Sequence, residues 1–168
     1  MSNKILVCLD DLEHSKKIAT YVSDIMRSKE DIKLTLFHCI ASDDIDLGAS
    51  ELELSDKDKV SIDRVLAEYY QDKEDEDVFN CQDVYNSARE ILKQSGFNDN
   101  NIKDKLVVKN MEVAACILQE AYNHNYDTIV IAKRRRVKIP ITKLGIVTEN
   151  VLTNAIGKTI ILVSIAAK

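Results

Sequence analysis

Residues Asp127–Asn154 read DTIVIAKRRRVKIPITKLGIVTENVLTN and hold three pieces in order. Asp127–Ala132 is short, continuous and apolar, the pattern of a strand buried on both faces. Five of the next six residues, Lys133 to Lys138, are basic. From Gly145 a helix takes over, with Val147, Val151 and Ala155 on one side and Gly157 as its stop. Strand, long cationic loop and helix start together have the build of a phosphate site.

The same alternation extends in both directions. Upstream, Lys4–Leu9 (KILVCL), Ile32–Ile40 (IKLTLFHCI) and Lys105–Lys109 (KLVVK) have strand character, and Thr159–Ile165 (TIILVSI) follows the last helix. Between them lie amphipathic helices. One buries Ile18, Val22, Ile25 and Met26. Another runs through Val78, Cys81, Val84, Tyr85, Ala88, Ile91 and Leu92 to Ser95-Gly96, where glycine suits a left-handed helix end. A third buries Ala114, Ile117, Leu118 and Ala121 after Asn110, a candidate N-cap. Apolar strands alternating with such helices imply an α/β fold. The expectation is a single-domain, doubly wound, five-stranded parallel sheet of Rossmann-like type. Residues 43–75 exceed what a crossover needs and read as an acidic insertion with a short helix over about Asp58–Tyr70.

Composition narrows the function classes. At 168 residues the chain is long enough to bury a core without staples. No apolar run reaches the roughly 18–20 residues needed to span a bilayer. The N-terminus enters strand sequence with no signal-peptide layout, so the expected compartment is the cytoplasm. Net charge is −5, and one small basic spot in an acidic chain does not make the broad basic face of a nucleic-acid binder. Cys8, Cys39, Cys81 and Cys116 are widely spaced, with no metal-ligand pattern, and read as buried reduced thiols. The acidic run at 72–77 lacks the Asp-x-Asp-x-Asp-Gly calcium loop and reads as solvated surface. No metal is expected.

In an open doubly wound sheet, ligands bind beyond the carboxyl ends of the strands, where strand order reverses. If the first strand and Asp127–Ala132 are neighbours there, Asp10 and the Lys133–Gly145 loop face one cleft. KILVCLDDLEHSKKI resembles the opening of universal stress proteins: strand, Asp, then a turn carrying Glu-His-Ser into the first helix. AREILKQSGF resembles the end of their second helix. DTIVIAKRRR, its loop and LGIVTENVLTNAIGKTIILV follow their strand, loop, helix and last strand. The likeness covers most of the chain apart from residues 43–75.

In members of that family that bind ATP, the loop reads G-x2-G-x9-G-(S/T). On this chain the positions are Ala132, Arg135, Gly145 and Ile146. Only Gly145 is kept. Arg135 puts a long side chain where backbone should approach phosphate, and Ile146 removes a hydroxyl donor near the helix N-terminus. Tight ATP binding in the family manner is therefore not expected and no cofactor is expected, though weak ATP or AMP binding stays open. Arg134, Arg135 and Arg136 offer a different solution, holding an anion through guanidinium forks. The plainer reading makes the loop a solvated surface or a docking site for an acidic protein partner.

Asp10 resembles the family aspartate that contacts base or ribose, while Asp10-x-x-Glu13 also has the form of a capping box. Ile40 matches the apolar residue beside adenine. His14 is expected to be exposed, His38 to be hydrogen-bonded near a strand end, and His124 to sit at a helix end. None has nucleophile–base spacing to a Ser, Cys or Asp. Walker A and GxGxxG fingerprints are absent, and DDLEHS stands where a related ATP-pyrophosphatase would need a Ser/Gly-rich loop. The expectation is thus a non-enzymatic universal stress-type protein acting through a partner or an altered anion. A nucleotide-binding (ATP/AMP) regulatory switch is the alternative. Resemblance to the family also implies a homodimer formed through Thr159–Ile165, a long apolar strand fit for edge pairing.

Overall fold

The computed structural model describes residues 3–26, 30–41, 51–70, 79–134 and 144–165. The strands are β1 (Asn3–Cys8), β2 (Ile32–Ala41), β3 (Glu51–Glu53), β4 (Ile102–Lys109), β5 (Thr128–Arg134) and β6 (Thr159–Ile165). The helices are α1 (Leu12–Ile25), α2 (Asp56–Tyr70), α3 (Cys81–Gln94), α4 (Val113–Asn123) and α5 (Ile146–Asn154). One sheet carries the strands in the order β3-β4-β2-β1-β5-β6. All neighbours are parallel except β3, which runs antiparallel to β4. The five parallel strands expected from the sequence are present; the sheet has six because the inserted region adds β3 at its edge.

Two apolar layers sandwich the sheet. Ile5, Val7, Leu34, Leu36 and Ile40 face the layer shared with α1, α2 and α3. Leu6, Cys8, Phe37, Cys39 and Ile129 face the layer under α4 and α5. This alternation along each strand is the period-two geometry of a sheet covered on both sides.

Helix ends show how local sequence fixes the geometry. Gly96, with φ 101°, closes α3: its amide bonds to Lys93 O (3.0 Å), and the amide of Phe97 bonds to Leu92 O (3.1 Å). Asn125, with φ 54°, does the same for α4, and the amide of Tyr126 reaches Ala121 O (3.0 Å). Both are Schellman closures with a buried aromatic folding back on the helix.

The N-termini differ from expectation at two helices. The cap of α1 is Asp11, not Asp10: an Asp11 carboxylate oxygen accepts the His14 amide at 2.8 Å, and its other oxygen meets the His14 ring. His14 is accordingly half-buried rather than exposed. Glu13, the other half of the expected capping box, pairs with Lys17. Helix α4 is entered through Glu112, without a side-chain cap, rather than through Asn110.

The described part of the insertion packs against β4 and α3. Helix α2 has 15 residues, making it the longest helix rather than a short one. Its Asp63 carboxylate caps the start of α3, accepting the amides of Cys81 (2.6 Å) and Gln82 (3.0 Å). Lys59 of α2 and Asp104 of β4 form a buried ion pair, 2.8 Å apart. Arg89 of α3 holds the other Asp104 oxygen at 2.9 Å. Asp104 explains why β4 starts at Ile102 and not at Lys105 as expected. Its charge breaks the apolar pattern, yet it is buried against its two cationic partners.

Candidate functional site

The chain leaves β1 through α1 to β2 on one side, and returns from β4 through α4 to β5 on the other. Neighbours β1 and β5 therefore carry their connections to opposite sides, the topological switch point where a crevice opens. A cavity of about 450 Å³ lies there, at the carboxyl ends of β1, β2 and β5. Asp10, Ala132, Gly145 and Ile146 all line it. The sheet thus brings together four positions that are 136 residues apart at their extremes.

Asp10 precedes the α1 cap, which is Asp11. The Asp10 amide donates to Ser15 Oγ at 3.0 Å, which fixes the turn while the residue stays at the cavity wall. His38 lines the same cavity. Its Nδ1 lies 2.9 Å from Leu9 O, and since a carbonyl only accepts, Nδ1 carries the proton. The ring also stacks on Phe79, centroids 3.7 Å apart and planes 2° from parallel. His38 is therefore the hydrogen-bonded residue expected, and it forms part of the cavity wall as well.

The far wall is the first turn of α5. Gly145 is its N-cap, with φ −69° and ψ 153°, and no side chain caps the turn. An added Cβ at Gly145 would meet nothing within 4 Å. Neither backbone conformation nor packing within the described residues requires glycine there. Ile146 follows with 78% exposure, a bare apolar side chain at the cavity mouth. Thr148 was not singled out in the sequence. It is buried, lines the cavity, and its hydroxyl reaches toward Ala132 O at 3.5 Å. The hydroxyl missing at 146 thus has a counterpart two residues on. A threonine in the first turn after Gly145 was the available signal.

Four expected site residues stand elsewhere or outside the described residues. Ile40 packs into the α1–α3 layer and does not line the cavity; its neighbour Cys39 does. Strand β5 runs two residues past Ala132, so Lys133 and Arg134 pair with Ser164 and Ile165 of β6 instead of opening the loop. Arg135 and Arg136 lie outside the described residues, so the guanidinium cradle does too. None of the described residues of the insertion lines the cavity.

Chemistry available at the wall is limited. Cys8 and Cys39 line the cavity and Cys116 lies behind them. Burial pushes the Cys8 thiol far up. A hydrogen bond with Cys116, then burial, does the same for Cys39. Such thiols stay protonated and are poor nucleophiles. Among the described residues no group of three or more His, Cys, Asp or Glu is arranged to hold a metal ion. No helix of the described residues is long and apolar enough to cross a membrane.

The universal stress protein family model matches residues 1–161. No curated protein matches the chain by sequence. Among solved structures, the fold is similar to a universal stress protein from Archaeoglobus fulgidus, with TM-score 0.60 and 16% identity over 95% of this chain and 92% of that one. It is also similar to the universal stress protein from Archaeoglobus fulgidus in complex with dAMP (TM-score 0.55, 16% identity, 96% and 98% covered). A universal stress protein in complex with cAMP matches at TM-score 0.55 and 14% identity, with 98% of each chain covered. Identities this low carry the fold alone, while the family model spans nearly the whole sequence. The chain belongs to the universal stress protein family.

Proposed function

We propose that this protein is a non-catalytic nucleotide sensor whose cleft takes an adenine mononucleotide such as AMP in preference to ATP. The carrying observation is the uncapped first turn of α5, opening on the same cavity as Asp10. Helix N-terminal amides attract a single phosphate. Among the described residues nothing requires glycine at 145, as fits a site where a phosphate approaches the main chain. Asp10 lines the same cavity, and a carboxylate is suited to accept from a ribose hydroxyl. A cavity of about 450 Å³ falls within the usual range for small ligands, about 300–1,000 Å³. The neighbours bound to dAMP and cAMP each carry one phosphate.

A triphosphate is less well served. Its β- and γ-phosphates need the glycine-lined loop, and this chain has Arg135 and Ile146 at two of those positions. The buried thiols of Cys8 and Cys39, held toward their protonated form, support binding without turnover. Isothermal titration separates the readings. Saturable AMP binding, at least tenfold tighter than ATP and lost in Asp10→Ala, is the expected result. Tight ATP binding, or no saturable AMP binding, would overturn the proposal.

We further propose that the sensor is a homodimer built on β6. This strand ends the sheet order, pairs among the described residues with β5 alone, and leaves Ile160, Ile161 and Leu162 half-buried. A long apolar edge favours pairing with a second chain. Ile161→Pro should yield monomer or aggregate by light scattering, and an unchanged dimer would rule this interface out.

A further inference from the structure

A second cavity, about 330 Å³, lies on the α4 side of the sheet near the amino ends of β1, β2 and β4, away from the nucleotide cleft. The strand register puts Lys4 of β1 directly beside Lys33 of β2, and Thr35 of β2 beside Lys103 of β4, with Lys105 two residues further along. All five side chains project to one face, because residues two apart on a strand share it. Four ammonium groups line this cavity against two carboxylates, Glu53 and Glu120. This is an excess of two positive charges in a chain whose net charge is −5.

The fold does not neutralise that excess. Glu120 is buried and commits one oxygen to Lys105 Nζ at 2.8 Å. Its other oxygen lies 3.3 Å from both the Tyr126 hydroxyl and His124 Nδ1. Tyr126 also sits 2.9 Å from Thr35 Oγ1. These groups form a fixed, internally satisfied floor. Glu53 meets Lys103 at 3.0 Å, but both side chains are mostly exposed and such a pair is weak. Lys4 Nζ rests on a backbone oxygen, His124 O, at 3.1 Å. Lys33 makes no ion pair among the described residues. Like charges placed side by side on adjacent strands are destabilising, and strands stand only about 5 Å apart. An anion between Lys33 and its neighbours removes this repulsion.

We propose that this cavity is a second binding site, for a small organic anion bearing phosphate or carboxylate groups. Lys33, Lys103 and Lys4 supply the charge, and the Lys105–Glu120–Tyr126 floor sets the shape. The site is separate from the Asp10–Gly145 cleft, so occupancy of one does not require the other.

The test is a 1H–15N titration of the full chain with inorganic pyrophosphate and, separately, with citrate, at ionic strength held constant by sodium chloride. Expected are saturable shifts at the amides of Lys33, Thr35, Lys103 and His124, with apparent affinity reduced at least tenfold in Lys33→Gln/Lys103→Gln and unchanged in Asp10→Ala. The probe with the lower dissociation constant tells phosphate from carboxylate. Shifts that do not saturate, that sodium chloride alone reproduces, or that fall only on the Asp10–Gly145 cleft would overturn the proposal. Both substituted lysines are exposed, and localisation in the unsubstituted protein decides the matter even if the variant misfolds.

Discussion

Lys59 and Asp104 meet 2.8 Å apart with 2% and 1% of their side chains exposed, joining the inserted helix to the first half of β4. Arg89 closes the other side of the carboxylate at 2.9 Å, and Asn86 Oδ1 accepts from Lys59 at 2.8 Å. Removing the shared acid leaves two cations facing each other in a water-poor site. Removing the lysine leaves Asp104 still held by Arg89. Asp104→Asn should therefore cost about 3–5 kcal/mol of unfolding free energy, and Lys59→Met distinctly less. Urea denaturation of the two variants measures this, and an equal or reversed order would contradict it.

Alkaline pH should unfold the protein through its buried phenols. Tyr85 is fully buried and donates to Lys105 O at 2.7 Å, and burial pushes its hydroxyl well above the ordinary value. Burial likewise pushes Tyr126 up to about 12. Both groups are raised above their unfolded value of about 10. Their contribution is thus complete below about pH 10 and is lost as pH climbs toward 12. In a spectrophotometric titration, two of the six tyrosines should ionise only together with loss of helical signal. If all six titrated near pH 10 in folded protein, this reading of Tyr85 and Tyr126 would fail.

Restoring the family loop should restore triphosphate affinity. Arg135→Gly with Ile146→Ser returns one small residue and one hydroxyl to the α5 approach. Ile146 is 78% exposed, so its replacement carries little stability cost. A gain of about tenfold in ATP affinity, roughly 1.4 kcal/mol, is expected by calorimetry. No gain would place the obstacle elsewhere in the cleft.

Most of the sheet was legible because β1, β2, β5 and β6 are apolar runs that a two-sided burial demands. Two features were not. Glu51–Glu53 has no strand pattern of its own and is a strand only because β4 offers it an edge. The first residues of β4, IKDK, look polar because Asp104 is neutralised by residues far away in sequence. At the site, Asp10, Ala132, Gly145 and Ile146 were traceable through the resemblance to the family's strand end and loop, and they do share one cavity. The cap was misplaced because the capping-box spacing to Glu13 favours Asp10, whereas in the fold Glu13 pairs with Lys17 and Asp11 caps the helix. Ile40 was one residue out of phase: in a strand, that step moves a side chain to the opposite layer. Thr148 escaped notice because alignment to a loop pattern looks for the hydroxyl at one position, whereas a helical turn brings its third residue to the same opening.

The most direct measurement is a 1H–15N titration with AMP and with adenosine, following the amides of Ile146, Val147 and Thr148. The account predicts that AMP shifts these amides saturably while adenosine leaves them nearly unmoved, because the α5 N-terminus holds the phosphate. Equal shifts from both ligands, or AMP shifts that spare α5, would contradict it.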